Sequence, residues 1–245
     1  MRRIGQVNRS LMPWFLAAAL FAGAITVVTP KTAAQAPNEA SKEPPPESPV
    51  RLFIALDGAP AMGDAKAQVA IVEFADYQCP YCIRHATQVL PSLVSDYVNT
   101  GKVRYFFKDL PVEFVHSQAF KEAEAARCAG EQGKYWEMHD RLFLANQPPG
   151  VVNELPAYAL ALNLDLARFQ QCLDVGSSAA RIRKDIQDAK QYRVQGTPTF
   201  FVGMLDSQGS GMHAVTMLYG AQAYPVFKKT LDQMLLPAPA AQGER

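Results

Sequence analysis

The first strong pattern along the chain is an apolar run at residues 69–74, Val-Ala-Ile-Val-Glu-Phe, interrupted by one acid. A short, β-branched run that is apolar on both faces predicts a buried strand. Past Cys79 the apolar residues Ile83, Ala86, Leu90, Leu93, Val94 and Tyr97 recur at three- and four-residue steps, the stripe of an amphipathic helix. Pro91 lies inside that stripe and should kink it, and Asn99-Thr100-Gly101 should end it. Residues 103–110 read as a second strand. Strand, helix and strand at this spacing predict a βαβ unit with parallel pairing and a right-handed crossover.

The pattern then turns helical. Residues 117–129 and 133–145 carry Ala, Glu and Leu at helical spacing, with Gly130 between them. Asn153 and Asp165 suit the N-caps of two short helices, and residues 178–192 form another periodic segment. Strand character returns at 199–202 and 213–218, and a last helix is expected over 224–235. The fold class expected is α/β, a βαβ half and a ββα half with helices inserted between them at about 114–192.

The ends change the picture. Residues 1–10 carry three arginines, residues 11–28 are uncharged and largely apolar, and small residues follow to Ala36. Basic, then apolar, then small is the order of an export signal. An uncleaved membrane anchor is the rival reading, because eighteen apolar residues approach the spanning minimum. Either reading places the folded part outside the cytoplasm, in an oxidising compartment. Residues 37–50, rich in Pro and charge, are expected to be a disordered spacer, and 237–245 a disordered tail, leaving 51–236 as the folded domain. The chain has 24 bases and 23 acids, and losing the four leader bases leaves about −3, an ordinary value for a soluble protein. Nothing in that balance argues for nucleic-acid binding.

Chemistry concentrates at Cys79-Pro80-Tyr81-Cys82, where a strand and its loop turn into a helix. A helix start offers unpaired N–H groups and partial positive charge, which favour a thiolate. Pro80 fits the first turn, where a missing N–H costs nothing. Two intervening residues put the second sulfur one turn away, where it can attack a mixed disulfide. Cys79 is therefore expected to be the exposed nucleophile and Cys82 the buried resolving thiol of a redox-active disulfide. Half a zinc site and a plain structural bridge are the alternatives. Cys128 and Cys172 stand singly and the histidines His85, His116, His139 and His213 are scattered, so no metal site is expected.

The segment 74–82, Phe-Ala-Asp-Tyr-Gln-Cys-Pro-Tyr-Cys, resembles the active-site segment of DsbA-like thiol–disulfide oxidoreductases of the thioredoxin superfamily. Residues 196–203, Gly-Thr-Pro-Thr-Phe-Phe-Val-Gly, resemble their second signature, and residues 128–140 resemble their inserted helical domain. The resemblance spans roughly residues 57–236. It implies a thioredoxin-like fold with a helical insertion and a cis Thr197–Pro198 bond, whose backbone faces the sulfurs and pairs with a substrate chain. It implies that Glu73, six residues before Cys79, is a buried acid serving the resolving thiol. A strand-end carboxylate reaching solvent is the other reading of Glu73. Lys108 is either its partner or a surface lysine.

The resemblance further implies a monomeric oxidase that needs no cofactor. It would act on reduced or unfolded exported proteins and be reoxidised by a membrane partner. An exported reductase for one client and a peptide-binding chaperone module are the alternatives. A helix terminus contributes at most about 2 kcal/mol to a charge, roughly 40 mV for a two-electron couple. Oxidising and reducing members of the superfamily differ by about 150 mV, so helix position alone does not set direction. With Pro-Tyr between the cysteines in place of Pro-His, a less extreme oxidant is expected. Cys128 and Cys172 form either a second, structural bridge or two buried thiols. His85 should lie on the polar flank of its helix, and Tyr77, Tyr81, Phe114 and Val115 form either an apolar rim for substrate or ordinary packing.

Overall fold

A computed structural model describes residues 47–147 and 154–236. The expected leader, the Asn153 cap, the tail and most of the spacer lie outside the described residues. The sheet is built around β3 (Val69–Ala75), whose seven residues are all buried. It runs parallel to β4 (Val103–Asp109) and antiparallel to β5 (Thr199–Leu205). Beyond β5 lie β6 (Gly211–Tyr219) and β1 (Glu47–Ala55), while β2 (Ala61–Met62) borders β4, giving the order β1-β6-β5-β3-β4-β2.

The strand β1 corrects the expected spacer. Its first residues, Glu47 to Pro49, pair with β6, so order begins before residue 51. Pro49 sits where the β1–β6 register shifts, at the sheet edge, and a proline is tolerated there because its missing N–H leaves no central ladder broken. Proline content hid this strand from the sequence pattern.

Between β3 and β4 the chain forms α1 (Pro80–Gln88), α2 (Leu90–Leu93) and a single π turn over 94–98. The expected kink is a break at Val89. Pro91 has no N–H to bond back into α1, so the first helix ends three residues before it. The insertion comprises α3 (Ala119–Gly130), α4 (Tyr135–Ala145), α5 (Leu155–Ala161), α6 (Leu166–Val175) and α7 (Ala179–Gln191). Asp165 caps α6 by accepting from the N–H of Arg168 at 3.0 Å, as its sequence position predicts. Cys128 on α3 and Cys172 on α6 are joined by a disulfide. The last helix, α8 (Tyr224–Leu235), closes the chain against the sheet.

Strand alternation sorts the core into faces. Val69 and Ile71 of β3, with Val103 and Tyr105 of β4, pack against α2 and α8. Ala70, Val72 and Phe74, with Phe106, pack on the opposite face with Ala189 and Tyr192 near the end of α7. The third cluster joins the loop before α1 to the insertion through Tyr77, Phe107, Met138 and Phe143. This parity decides which polar side chains meet in the site.

Candidate active site

Cys79 is the N-cap of α1. Its backbone is extended (φ −69°, ψ 122°) while its carbonyl already accepts from the N–H of Ile83 at 3.0 Å. Among the described residues no side chain caps the helix, so the N–H groups of Tyr81 and Cys82 are left to the sulfur. Pro80 occupies the first helical position and reinforces the start. The Cys79 thiol donates to the carbonyl of Thr197 at 3.4 Å, and the Thr197–Pro198 bond is cis. Sequence-distant segments, 79–82 and 197–198, therefore meet. Cys79 and Cys82 are free thiols here.

Cys79 is only 5% exposed, less open than its expected role suggests, because the Thr197 segment lies over its sulfur. Its thiol is shifted down to about 6. The Cys82 thiol is the main cause, helped by the bond to Thr197 and by the N–H groups of Cys82 and Tyr81, against the effect of burial. Cys82 is fully buried, and burial pushes its thiol well above the usual range, with further increases from Cys79 and from the charge of Glu73. The N–H of Asp76 donates to the Cys82 sulfur at 3.5 Å. One thiol is made acidic and its neighbour is held protonated, the asymmetry that exchange chemistry requires.

Glu73 is 1% exposed, on the face of β3 that meets α1. Burial raises its carboxyl to about 8, with the Tyr105 hydroxyl opposing and the charge of Cys79 adding to the rise. Tyr105 donates to Glu73 Oε2 at 2.6 Å, and His85 Nε2 lies 3.1 Å from the same hydroxyl oxygen.

Two expectations are corrected here. Lys108 is not the partner of Glu73: it is fully buried on the other face and bonds Asp185 at 2.9 Å and Asp188 at 2.7 Å. Glu73 stands opposite Phe107 in the β3–β4 register, so Lys108, one residue on, points the opposite way. His85 is not on a polar flank; it is fully buried against Phe200 and Phe227, and burial lowers its imidazole to about 3. Residues 80–88 turn the His85 position toward the sheet, a direction that helical periodicity without a docked sheet does not give.

Sequence reasoning also missed the loop anchors. The buried Asp76 carboxylate accepts from the N–H groups of Gln78 and Val112, both at 2.7 Å, and pairs with His116 at 2.9 Å. Gln78 accepts from the N–H of Gln118 and donates to Glu122, while Asn146 donates to the carbonyl of Tyr77. The insertion thus holds the loop that delivers Cys79. The anchors Val112 and Asn146 lie 36 and 69 positions from the residues they hold and show no local pattern. Of the expected rim, Tyr81, Phe114 and Val115 are exposed, at 57%, 89% and 61%. Tyr77 is instead core, packed on Phe107 and Phe143 and bonded to the Tyr135 hydroxyl. Among the described residues no three His, Cys, Asp or Glu side chains are grouped to hold a metal ion.

A parallel β3–β4 pair, an antiparallel β5–β6 pair and a Cys-x-x-Cys at the helix start opposite a cis proline define a thioredoxin-like α/β domain with a helical insertion. The thioredoxin family model matches residues 56–208, and the chain belongs to that family. The structure is similar to that of a point variant of alpha-DsbA1 from Wolbachia pipientis, with a TM-score of 0.64 at 23% identity, covering 74% of this chain and 93% of that one. In sequence it is 43% identical over 148 residues to a protein of Salinispora arenicola named Na(+)/H(+) antiporter NhaA 1, covering 60% of this chain and 22% of that protein. The chain spans about a fifth of the length of the first curated relatives it matches. It is also 28% identical over 150 residues to a Bacillus anthracis protein named Probable disulfide bond formation protein D, covering 58% of this chain and 68% of that protein.

Proposed function

We propose that this chain is an exported thiol–disulfide oxidoreductase that introduces disulfides into reduced or unfolded exported proteins through Cys79 and Cys82. The observation that carries the reading is the contrast at one helix start. Cys79 is acidified to about 6 beneath Thr197, and Cys82 is held protonated beside it. A client thiolate attacks Cys79 of the disulfide form, the Cys79–Cys82 bond breaks, and the electron pair leaves on Cys82. A second client thiolate then attacks its own sulfur in the mixed disulfide, forming the client bridge and releasing Cys79 as thiolate. Thr197 and Pro198 dock the client backbone, with Tyr81 beside the sulfurs. A membrane partner restores the disulfide, and the chain works as a monomer without a cofactor.

Electrostatics favour the oxidising direction by a small margin. Lowering a thiol from 9.0 to about 6 stabilises the dithiol form above pH 6. At pH 7 this is worth at most about 1.4 kcal/mol, near 30 mV for two electrons. That increment points toward oxidation but fills only part of the span between reducing and oxidising members. The similarity to a protein named for disulfide bond formation supports the same direction. The domain plan follows from the export reading: a leader over 1–36, a short spacer, and a folded unit to about 236. Among the described residues no helix is long and apolar enough to cross a membrane.

Titration of the protein against glutathione tests the proposal. The expected potential lies between about −180 and −120 mV, and Cys79→Ser should abolish exchange. A value near about −270 mV favours the reductase reading. Retained activity in Cys79→Ser favours a peptide-binding module, a reading that the exposed Phe114 and Val115 support.

A further inference from the structure

Thiol exchange by itself leaves two buried polar residues beside Glu73 without a role. We propose that Tyr105, held by His85, is a positioning residue that governs when Glu73 exchanges a proton with Cys82. The inference deepens the exchange reading and rests on it.

The geometry is a linear chain of three groups that water does not reach. Tyr105 donates to Glu73 Oε2, so its oxygen is left to accept, and the group within reach is His85 Nε2 at 3.1 Å. That order fixes the imidazole proton on Nε2 and leaves Nδ1 bare, which matches the absence, among the described residues, of any partner on His85 Nδ1. Glu73 Oε1 likewise has no partner among them. Of the two carboxyl oxygens, Oε2 is engaged by a strong donor, so Oε1 is where a transferred proton is held. A donor that itself accepts a hydrogen bond is the stronger donor, so His85 acts on Glu73 through Tyr105.

What faces Glu73 explains why this pair matters. From α1 come Cys79, Cys82 and His85; from β4 comes Tyr105; α4 contributes His139, near His85. The packing from β5 and α8 is Phe200 and Phe227. Lys108, the nearest cation along β4, lies on the opposite face with Asp185 and Asp188. Both histidines are held neutral by burial, so among the described residues no cation pins Glu73 in its ionised form. Two neutral donors in series stabilise the carboxylate only in part, leaving it able to hold or release a proton near neutrality.

The step balances. As the client sulfur bonds to Cys79, the Cys79–Cys82 bond breaks, its electron pair goes to Cys82, and Glu73 supplies the proton that makes Cys82 a thiol. In reverse, Cys82 gives its proton to Glu73, attacks Cys79 and expels the bound thiolate. The reverse step is measurable by mixing dithiol protein with excess oxidised glutathione and following glutathione release from Cys79 against pH. Release in the wild type should rise with a midpoint near 8, where Glu73 becomes a carboxylate.

Tyr105→Phe removes the donor, so the midpoint should move up by about one pH unit. His85→Leu should move it in the same direction by less. His85→Gln, which keeps an N–H at the end of the side chain, should restore the wild-type profile. The carboxyl carbon of Glu73, followed by NMR and assigned with Glu73→Gln, should titrate with the same ordering. Should Tyr105→Phe fail to fold, the two His85 variants decide. Superposed profiles in folded variants overturn the inference while leaving exchange intact, and a wild type that releases no glutathione overturns both.

Discussion

Two buried polar systems are built on the same sheet, and they treat charge in opposite ways. Around the end of β4 two cations and three acids are bonded together: Lys108 spans both Asp185 and Asp188, and Arg127 bonds Asp109 and Asp185. Behind the cysteines Glu73 is buried, and among the described residues the donors in line with it, Tyr105 and His85, are neutral. A counter-charge opposes the protonation of a buried acid: burial lifts Asp109 to about 6 against Arg127, while Glu73, with neutral donors, is lifted to about 8. The paired system ties β4 to α3 and α7, and it anchors the insertion. The unpaired one lies behind the cysteines, where a proton must move. Burial is common to both; the presence of a counter-charge separates structure from chemistry.

The comparison is broken most severely at Glu73. Its carboxyl keeps a proton up to about pH 8 in the folded state, while an unfolded chain releases it at about 4.5. Between those values the folded state binds more protons, so stability should fall as pH rises. The slope is about 1.4 kcal/mol per unit, about 5 kcal/mol in all. Glu73→Gln should remove that slope, leaving the variant more stable than wild type at pH 8 and above. Urea unfolding from pH 5 to 9 measures it, and parallel curves for the two proteins would show that Glu73 is an ordinary solvated acid.

On the paired face the sign reverses. Asp185→Ala leaves Lys108 and Arg127 short of a counter-charge in a dry site, and should cost about 3 to 4 kcal/mol at neutral pH. The acidity of Cys79, followed by its alkylation rate against pH, should not move. A shift in that midpoint would mean the two systems are coupled through β4. The smallest effect belongs to a pair that is partly wet. His116, about one-fifth exposed, bonds Asp76 beside the active-site loop. His116→Ala should cost less than about 1 kcal/mol in thermal unfolding, since solvent screens the contact. A loss as large as that of Asp185→Ala would place this pair with the buried ones.

Much of this was legible in the residues. The run at 69–74, the stripe after Cys79 and the segment at 224–235 became β3, α1–α2 and α8, because their hydrophobic periods match those elements. The partners of Glu73 were not legible. Lys108 and Tyr105 are both on a strand of alternating character, three residues apart, and only the β3–β4 register decides which one shares the face of Glu73. A shift of one residue would exchange the two. The burial of His85 was hidden for a related reason: a helix stripe shows which residues share a face, while the docking angle onto β5 and α8 decides how wide the buried stripe becomes.

By itself the sequence determined the local devices: a proline-started helix with a cysteine at its cap, a second cysteine one turn on, and a Thr-Pro step leading into a strand. These depend on propensity, capping and short-range spacing, which neighbours along the chain settle. Tertiary structure alone decided what surrounds the sulfurs and the buried acid. Thr197 reaches Cys79 across 118 positions, Tyr105 reaches Glu73 across 32, and Lys108 is drawn to α7 across 77. Such contacts follow from strand register and from which face of the sheet each helix covers. Those contacts add to the local effect of the Cys82 thiol on Cys79 and temper the effect of burial on Glu73, because both acidities depend on which charges and donors remain once water is excluded.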